Sequence, residues 1–357
     1  MAGQIAPAEP FVIEDIRVEP VPQCLVCGTA GTARYEGLRD RLFSVPGRWS
    51  ERVCPRDGHL WLDPRPVTAD LGKLYRTYYT HADGTTPSLR LKVKQVVEAA
   101  GREAAFGYSS GRSGWAWFLV RSVVAHLPMV HDIAGSGVMW LHARHRGRLL
   151  DVGCGTGVIA RTLHDLGWDV HGVEPDPEAA AIARRHLGSE RVAIGTLDTV
   201  DLPTTSFDVI IAQQVIEHVP NPLAFLSQAH RLLRPDGRIV LTTPNTRSVC
   251  HRLFGRNWRE LDPPRHLHLF SQRDLSICAR QAGLVVETSR TTARTAWEVW
   301  CSSRALRTHE GSLGATVPPG LRVTRRVQGY LFQLVEHALV SAGAEAGEVL
   351  VVVCRKP

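Results

Sequence analysis

Between residues 148 and 244 short apolar runs alternate with segments whose apolar positions recur every three or four residues, the pattern of strands each followed by a helix. Leu149 to Val152 reads as a buried strand, followed by a glycine turn and a helix starting near Gly157. Asp169 to Glu174 is a second strand, and Pro175-Asp-Pro177 opens a helix to about Leu187. Arg191 to Ile194 is a third strand. Phe207 to Gln214 is a fourth, nearly all apolar as a strand buried on both faces should be. A helix from Leu223 to Leu233, the turn Arg234 to Gly237 and a fifth strand, Arg238 to Thr243, follow. A helix (Arg273 to Ala282), a strand (Leu284 to Thr291), a helical insertion over 296–342 and a last strand (Glu348 to Cys354) complete the pattern. The expectation is α/β: a doubly wound sheet of seven strands with an antiparallel edge, occupying 147–357.

Upstream the pattern differs. Residues 1–20 read as a mobile leader rich in Ala and Pro, and 21–68 as a small module. Cys24-Leu-Val-Cys27-Gly28 is followed 27 residues after Cys27 by Cys54-Pro-Arg-Asp57-Gly58-His59, the two-knuckle logic of a zinc ribbon. A tetrahedral ion needs four ligands, so Cys24, Cys27, Cys54 and either Asp57 or His59 are the candidates for a structural Zn²⁺. Leu60 to Pro66 leaves the module as a strand and turn, and Leu74 to His81 reads as a helix. Residues 69–146 predict a helical cap broken by glycine turns. Its Trp115, Trp117, Phe118 and Trp140 cover the sheet or line an acceptor site.

The length of 357 residues suits one large domain with a small one. No apolar run reaches 18 residues; the nearest, Trp115 to Val130, contains Arg121, His126 and Pro128. With no signal-peptide pattern at the start, a cytoplasmic protein without membrane partners is expected. Eight scattered cysteines argue for reduced thiols and a metal knuckle rather than a disulfide framework. The net charge of +7 concentrates between Thr86 and Arg148, where nine Lys/Arg face Glu98, Glu103 and Asp132. Solvated helix faces account for that excess; a nucleic-acid partner is not expected, and the substrate is a small molecule.

The chemistry centres on Asp151-Val-Gly153-Cys154-Gly155-Thr-Gly157. Glycine accepts positive φ and lets a ligand lie against the backbone, while helix-start amides can bind an anion. A nicotinamide site would carry G-x-G-x-x-G, but three residues after Gly155 stands Val158. The D-x-G-x-G-x-G spacing resembles motif I of class I S-adenosylmethionine (SAM) methyltransferases. Glu174, followed by Pro175, ends the second strand where an acid can accept from both ribose hydroxyls. In that family the loop after the third strand flanks the adenine, which implies Leu197 packed on the ring and Asp198 at its amino group. Gln213 and Gln214, at the end of the fourth strand, are then placed near the methionine end. The Ile216-Glu-His-Val219 segment and the Arg234 to Gly237 turn carry the same Rossmann-like methyltransferase resemblance.

Asn257 to Ser271 is similar to the H-L-x-x-F-S element of deoxysugar C-3 methyltransferases and of many envelope-glycan and natural-product methyltransferases. The resemblance implies His266 as the base, with Glu217, His218 and His268 as neighbouring catalytic candidates. Trp258 and Arg265, together with Tyr75, Tyr78 and Tyr79 of a Y-x-x-Y-Y-type segment, are the substrate-pocket candidates. SAM's sulfonium supplies the electrophile, so the protein aligns the acceptor and removes a proton, work suited to a histidine titrating near neutrality.

The expected activity is therefore SAM-dependent methyl transfer to a hydroxyl of a sugar or secondary metabolite. C-methylation of a nucleotide-linked keto sugar is an alternative, opposed by the 86 residues after Ser271, too few for the further domain of the deoxysugar enzymes. A catalytically silent SAM-fold partner subunit is a second alternative, opposed by the intact glycine loop and Glu174. RNA 2′-O-methylation is a third: small-RNA and ubiquinone-pathway enzymes bind a metal through E-x-x-E-H. Glu217 and His218 match, but Gln214 replaces the first glutamate and weakens a Mg²⁺ site, leaving ligands suited to Zn²⁺ or Fe²⁺.

Overall fold

The chain is described by a computed structural model over residues 10–75, 89–308 and 323–357. Strands β1 (Phe11–Ile13) and β2 (Ile16–Glu19) form a hairpin with Glu14 at φ 56°. The expected leader is thus partly folded, because Ile16 and Val18 alternate into the core. Next come β3 (Thr32–Leu38), β4 (Trp49–Val53), β5 (Leu60–Leu62) and β6 (Arg65–Pro66), the last pairing with β2. Thr68–Tyr75 forms a 3₁₀ helix, and most of the expected helix from Leu74 to His81, with Tyr78 and Tyr79, lies outside the described residues.

The cap consists of α1 (Leu89–Phe106), α2 (Trp115–Ala125) and α3 (Pro128–Ser136). Of its aromatic residues, Trp117 is buried whereas Trp115 and Phe118 face outward.

The carboxy-terminal half alternates β7 (Arg148–Val152), α4 (Val158–Asp165), β8 (Asp169–Glu174), α5 (Pro177–Leu187), β9 (Val192–Ile194), β10 (Phe207–Gln213), α6 (Pro222–Leu232) and β11 (Leu233–Pro244). Asp176 caps α5 by accepting from Glu178 N–H, and Asn221 caps α6 through Ala224 N–H. The fifth strand starts before the expected turn, since Leu233 already pairs with Phe207 and a register shift absorbs the turn. Then come α7 (Val249–Phe254), β12 (His268–Leu269), α8 (Gln272–Gln281), β13 (Val285–Thr292), α9 (Ala296–Thr308), α10 (Val323–Ser341) and β14 (Val349–Arg355). Ser271 and Asp274 make a capping box at the start of α8.

The seven-stranded sheet runs β13-β14-β11-β10-β7-β8-β9, with β14 antiparallel to both neighbours and the pairs from β11 to β9 parallel. This is a mixed α/β, Rossmann-like sheet. Its order reverses between β7 and β10, where ligands gather at strand carboxyl ends.

The amino-terminal module does not close on itself. Its four-stranded sheet, β12-β5-β4-β3, takes its edge strand from the carboxy-terminal half. Asp40 sits in the loop after β3 and accepts from the backbone N–H groups of Leu42, Phe43 and Val45, each at 2.9 Å. It also receives the Arg265 guanidinium bidentately at 2.7 and 2.9 Å, while Asp262 binds the same guanidinium from its other edge. Both Asp40 and Arg265 side chains are wholly buried, and Phe43 lies against the guanidinium at 4.2 Å.

Arg265→Met leaves two enclosed carboxylates without their cation. The variant should lose about 3 kcal/mol of stability, read from urea unfolding; a loss below about 1 kcal/mol would contradict the bridging role.

Candidate active site

The glycine turn after β7 places Gly153 at φ 68° and Gly155 at φ 54°. A Cβ on Gly153 would meet Val215 at 2.7 Å, so that position is filled by the protein itself. At Gly155 nothing lies within 4 Å, so its backbone faces open space that a ligand can occupy. The last residue of β8, Glu174, accepts from Gly155 N–H at 2.7 Å and from Asp176 N–H at 3.0 Å. Those bonds use two of a carboxylate's roughly four lone-pair sites, leaving acceptors for a diol. Burial, and then the nearby Glu174 charge, pushes the Asp151 carboxyl up to about 8. Cys154 is buried, Pro175 is exposed, and Leu197 is buried in the loop after β9. Asp198 is exposed, its carboxylate bonded by Thr196 Oγ1 at 2.5 Å.

At the carboxyl ends of β10 and β11 lies a cavity of about 150 Å³. Gln213, Gln214 and Thr242 form its sheet side, and Gln214 is held at φ 54° with its N–H on Thr242 O at 2.9 Å. The opposite walls come from Ser136 and Trp140 after the cap, Arg259 and Glu260 before the His266 turn, and Glu298 on α9. The wall mixes amide, hydroxyl, carboxylate and guanidinium groups with the apolar surfaces of Trp140, Pro244, Val299 and Val349.

Beside this cavity Glu217, His218 and His266 converge, with one candidate ligand atom of each within 4.8 Å of the others. His266 Nδ1 lies 2.7 Å from Glu260 O, which makes Nδ1 the protonated nitrogen and leaves Nε2 as an acceptor. His218 Nδ1 lies 3.0 Å from Arg265 O and 3.1 Å from the Tyr75 hydroxyl, so its Nε2 is also bare. Burial lowers both imidazoles from the ordinary histidine range and keeps them neutral. Glu217 is fully buried, neither carboxyl oxygen has a hydrogen-bond partner, and burial pushes its pKa to about 8. His266 adjoins the cavity through Glu260 but is not on its wall.

Several candidates are placed elsewhere. Arg265 is not a pocket residue: its guanidinium is consumed by Asp40 and Asp262. Trp258 is buried and donates its indole N–H to Glu348, behind the cavity wall to which that glutamate belongs. His268 has partners other than His266: its Nδ1 meets His59 Nε2 at 3.1 Å and its Nε2 lies 3.3 Å from Pro220 O. His59 has Asp274 at 3.5 Å on its other nitrogen and is therefore turned away from the cysteines.

The knuckles instead bring Cys24, Cys27, Cys54 and Asp57 together within 4.8 Å. Cys27 and Cys54 Sγ are 3.4 Å apart, and Cys24 Sγ is 3.6 Å from Asp57 Oδ2. These spacings match the edges of a tetrahedron with Zn–S bonds of about 2.3 Å. Gly28 and Gly58 close the two turns through the carbonyls of Cys24 and Cys54.

Sequence reasoning missed Glu260, Arg259 and Glu298 as wall residues, while it leaves Trp140 between covering the sheet and lining an acceptor site. Only Glu260 and Arg259 carried a signal, through their proximity to the His266 element.

A family model described as a methyltransferase domain matches residues 135–289. A ubiquinone biosynthesis O-methyltransferase from Cereibacter sphaeroides is 34% identical over 147 residues, covering 38% of this chain and 60% of that protein. One from Pseudomonas aeruginosa is 29% identical over 173 residues, covering 44% and 74% respectively. The chain thus spans about three-fifths of the first of these relatives. Among solved structures, geranyl diphosphate C-methyltransferase from Streptomyces coelicolor A3(2) is 15% identical with a TM-score of 0.43, over 71% of this chain and 88% of that one.

The Glu174→Ala variant should weaken SAM binding by about tenfold or more in calorimetry, as expected for losing a charge-assisted hydrogen bond. Unchanged affinity would remove Glu174 from the cofactor site.

Proposed function

With residues 135–289 forming a class I SAM-dependent methyltransferase domain, we propose that the chain methylates a hydroxyl of a small, polar acceptor, a sugar or a hydroxylated secondary metabolite. A cavity whose wall carries several hydrogen-bonding side chains, beside the His218 and His266 imidazoles, carries this reading. SAM brings an activated methyl group. The backbone at Gly155 and the Glu174 carboxylate hold that cofactor, with Gln213 and Gln214 at its reactive end. The wall groups orient the acceptor.

In this reading the acceptor's proton passes to Nε2 of His266. The Glu260 carbonyl fixes that tautomer, and burial keeps the ring neutral and ready to accept. His218, braced by Tyr75, packs edge-on against His266 at 4.8 Å between ring centroids and limits its rotation. The sequence likeness to O-methyltransferases supports a hydroxyl acceptor over a carbon.

A second reading has one observation behind it. Glu217, His218 and His266, with one candidate ligand atom of each within 4.8 Å and the buried Glu217 carboxylate without a hydrogen-bond partner, fit a divalent cation, which would hold an acceptor oxygen and lower its pKa. In the amino-terminal module, Cys24, Cys27, Cys54 and Asp57 would hold a structural Zn²⁺, four protein ligands leaving no open position.

His266→Ala should lower turnover by about 10²- to 10⁴-fold over a panel of hydroxylated glycosides and phenols while SAM affinity holds. Unchanged turnover would end the base role. For the second reading, Zn²⁺ added to metal-stripped protein lacking the cysteine site should raise the melting temperature in Cys54→Ser and not in Cys54→Ser with Glu217→Gln; equal shifts in the two would dismiss it. Elemental analysis should find one zinc fewer per chain in Cys54→Ser than in the parent, and full retention in His59→Gln. Equal zinc in Cys54→Ser and parent would refute the cysteine site.

A further inference from the structure

Two helices turn apolar surface outward. α10 is inverted relative to a helix that faces water. It buries Gln333, Glu336 and His337, and exposes Val327, Tyr330, Leu331, Leu334, Val335 and Leu339. Their spacing of three and four residues puts the exposed set in one stripe. The orientation is pinned, because Gln333 donates to the carbonyls of Ala293 and Arg294 at 3.0 and 2.7 Å. α2 is apolar nearly all round: Trp117 and Val124 are buried, while Trp115, Phe118, Leu119 and Val123 are exposed. Most large hydrophobic residues that the described chain exposes lie on or beside these two helices, and such concentration marks an interaction surface.

The charges indicate what covers it. Arg121 is the one charged residue of α2, paired with Glu103 on α1 at 3.2 Å. α10 carries Arg325, Arg326 and Glu336, and the glutamate is buried. Neither helix presents an exposed carboxylate, whereas Arg112 and Arg326 stand exposed near the amino-terminal ends of the two stripes. Contact with a second copy through this face would set its basic rim against itself without a counter-charge. An anionic lipid surface supplies apolar depth for the stripes and phosphates for the guanidinium groups. Trp115, 78% exposed, and Tyr330 have the amphipathic rings favoured at the headgroup level. Among the described residues no helix is long and apolar enough to cross a membrane, so these helices would lie in the interfacial plane.

We propose that α2 and α10 form a docking surface for an anionic lipid bilayer. Both pack on α3, at whose end Ser136 lines the cavity. The proposal is independent of the methyl-transfer reading, since binding is measured without acceptor or SAM.

Vesicle flotation of the full chain tests it. The parent should float with phosphatidylcholine vesicles containing phosphatidylglycerol, and about tenfold more weakly with pure phosphatidylcholine, as attraction of a few basic groups predicts. Added salt should weaken the binding. Leu331→Glu with Val335→Glu, both on the exposed stripe, should reduce binding by about tenfold or more, consistent with lost apolar burial, with circular dichroism and SAM affinity unchanged. No flotation of the parent, or equal flotation of parent and variant, would overturn the proposal. So would a dimer, seen in sedimentation, that the same double variant dissolves.

Discussion

A single enclosed guanidinium joins the two halves of this protein. Arg265 is bidentate to Asp40 of the amino-terminal module and reaches Asp262 of its own turn, with no side-chain exposure at Arg265 or Asp40. Removing such charges from water costs several kcal/mol each, and only close geometry with additional hydrogen bonds offsets it. Asp40 has those bonds in three backbone N–H donors. What the arrangement secures is register: few placements of the module against the catalytic half satisfy all of these partners together.

The register matters because the same turn carries the proposed base and part of the cavity wall. Between Arg259 and His268 the chain supplies two cavity-wall residues, the bridging arginine, the His266 imidazole and the edge strand of the module's sheet. Leu267 and His268 N–H both bond to Glu217 O, tying the turn to the loop after β10. The buried row Asp274, His59, His268 and the Pro220 carbonyl continues that link toward the knuckles. A structural ion at Cys24, Cys27, Cys54 and Asp57 would thus act on catalysis only through position. A small module is in this way fused to the catalytic machinery rather than strung beside it.

The catalytic half was legible in the sequence because its strands are buried on both faces and read as unbroken apolar runs, as at Phe207–Gln213. The glycine turn and the acid ending β8 were legible for a related reason, since their residue types answer local backbone demands. What escaped was non-local. β12 is two residues long and exists only because β5 lies beside it. Asp40 has no distinguishing neighbours in sequence, and Arg265 looked like a substrate residue because nothing local reveals its partner 225 positions away. The choice between Asp57 and His59 stayed open for want of a turn geometry; the chain after Gly58 re-enters a strand and carries His59 to the far side. The inverted polarity of α10 was likewise hidden, since periodicity reveals that a helix has two faces but not which one is covered.

The claim at the centre is that the methyl donor lies across the carboxyl ends of β7, β8 and β10, its sugar on Glu174 and its reactive end toward Gln213. A crystal structure with S-adenosylhomocysteine tests it most directly. The account predicts both ribose hydroxyls within hydrogen-bonding reach of the Glu174 carboxylate, the amino-acid part against Gly155, and the sulfur facing the cavity beside His266. Density for the nucleoside elsewhere, or a sulfur turned away from that cavity, would contradict it.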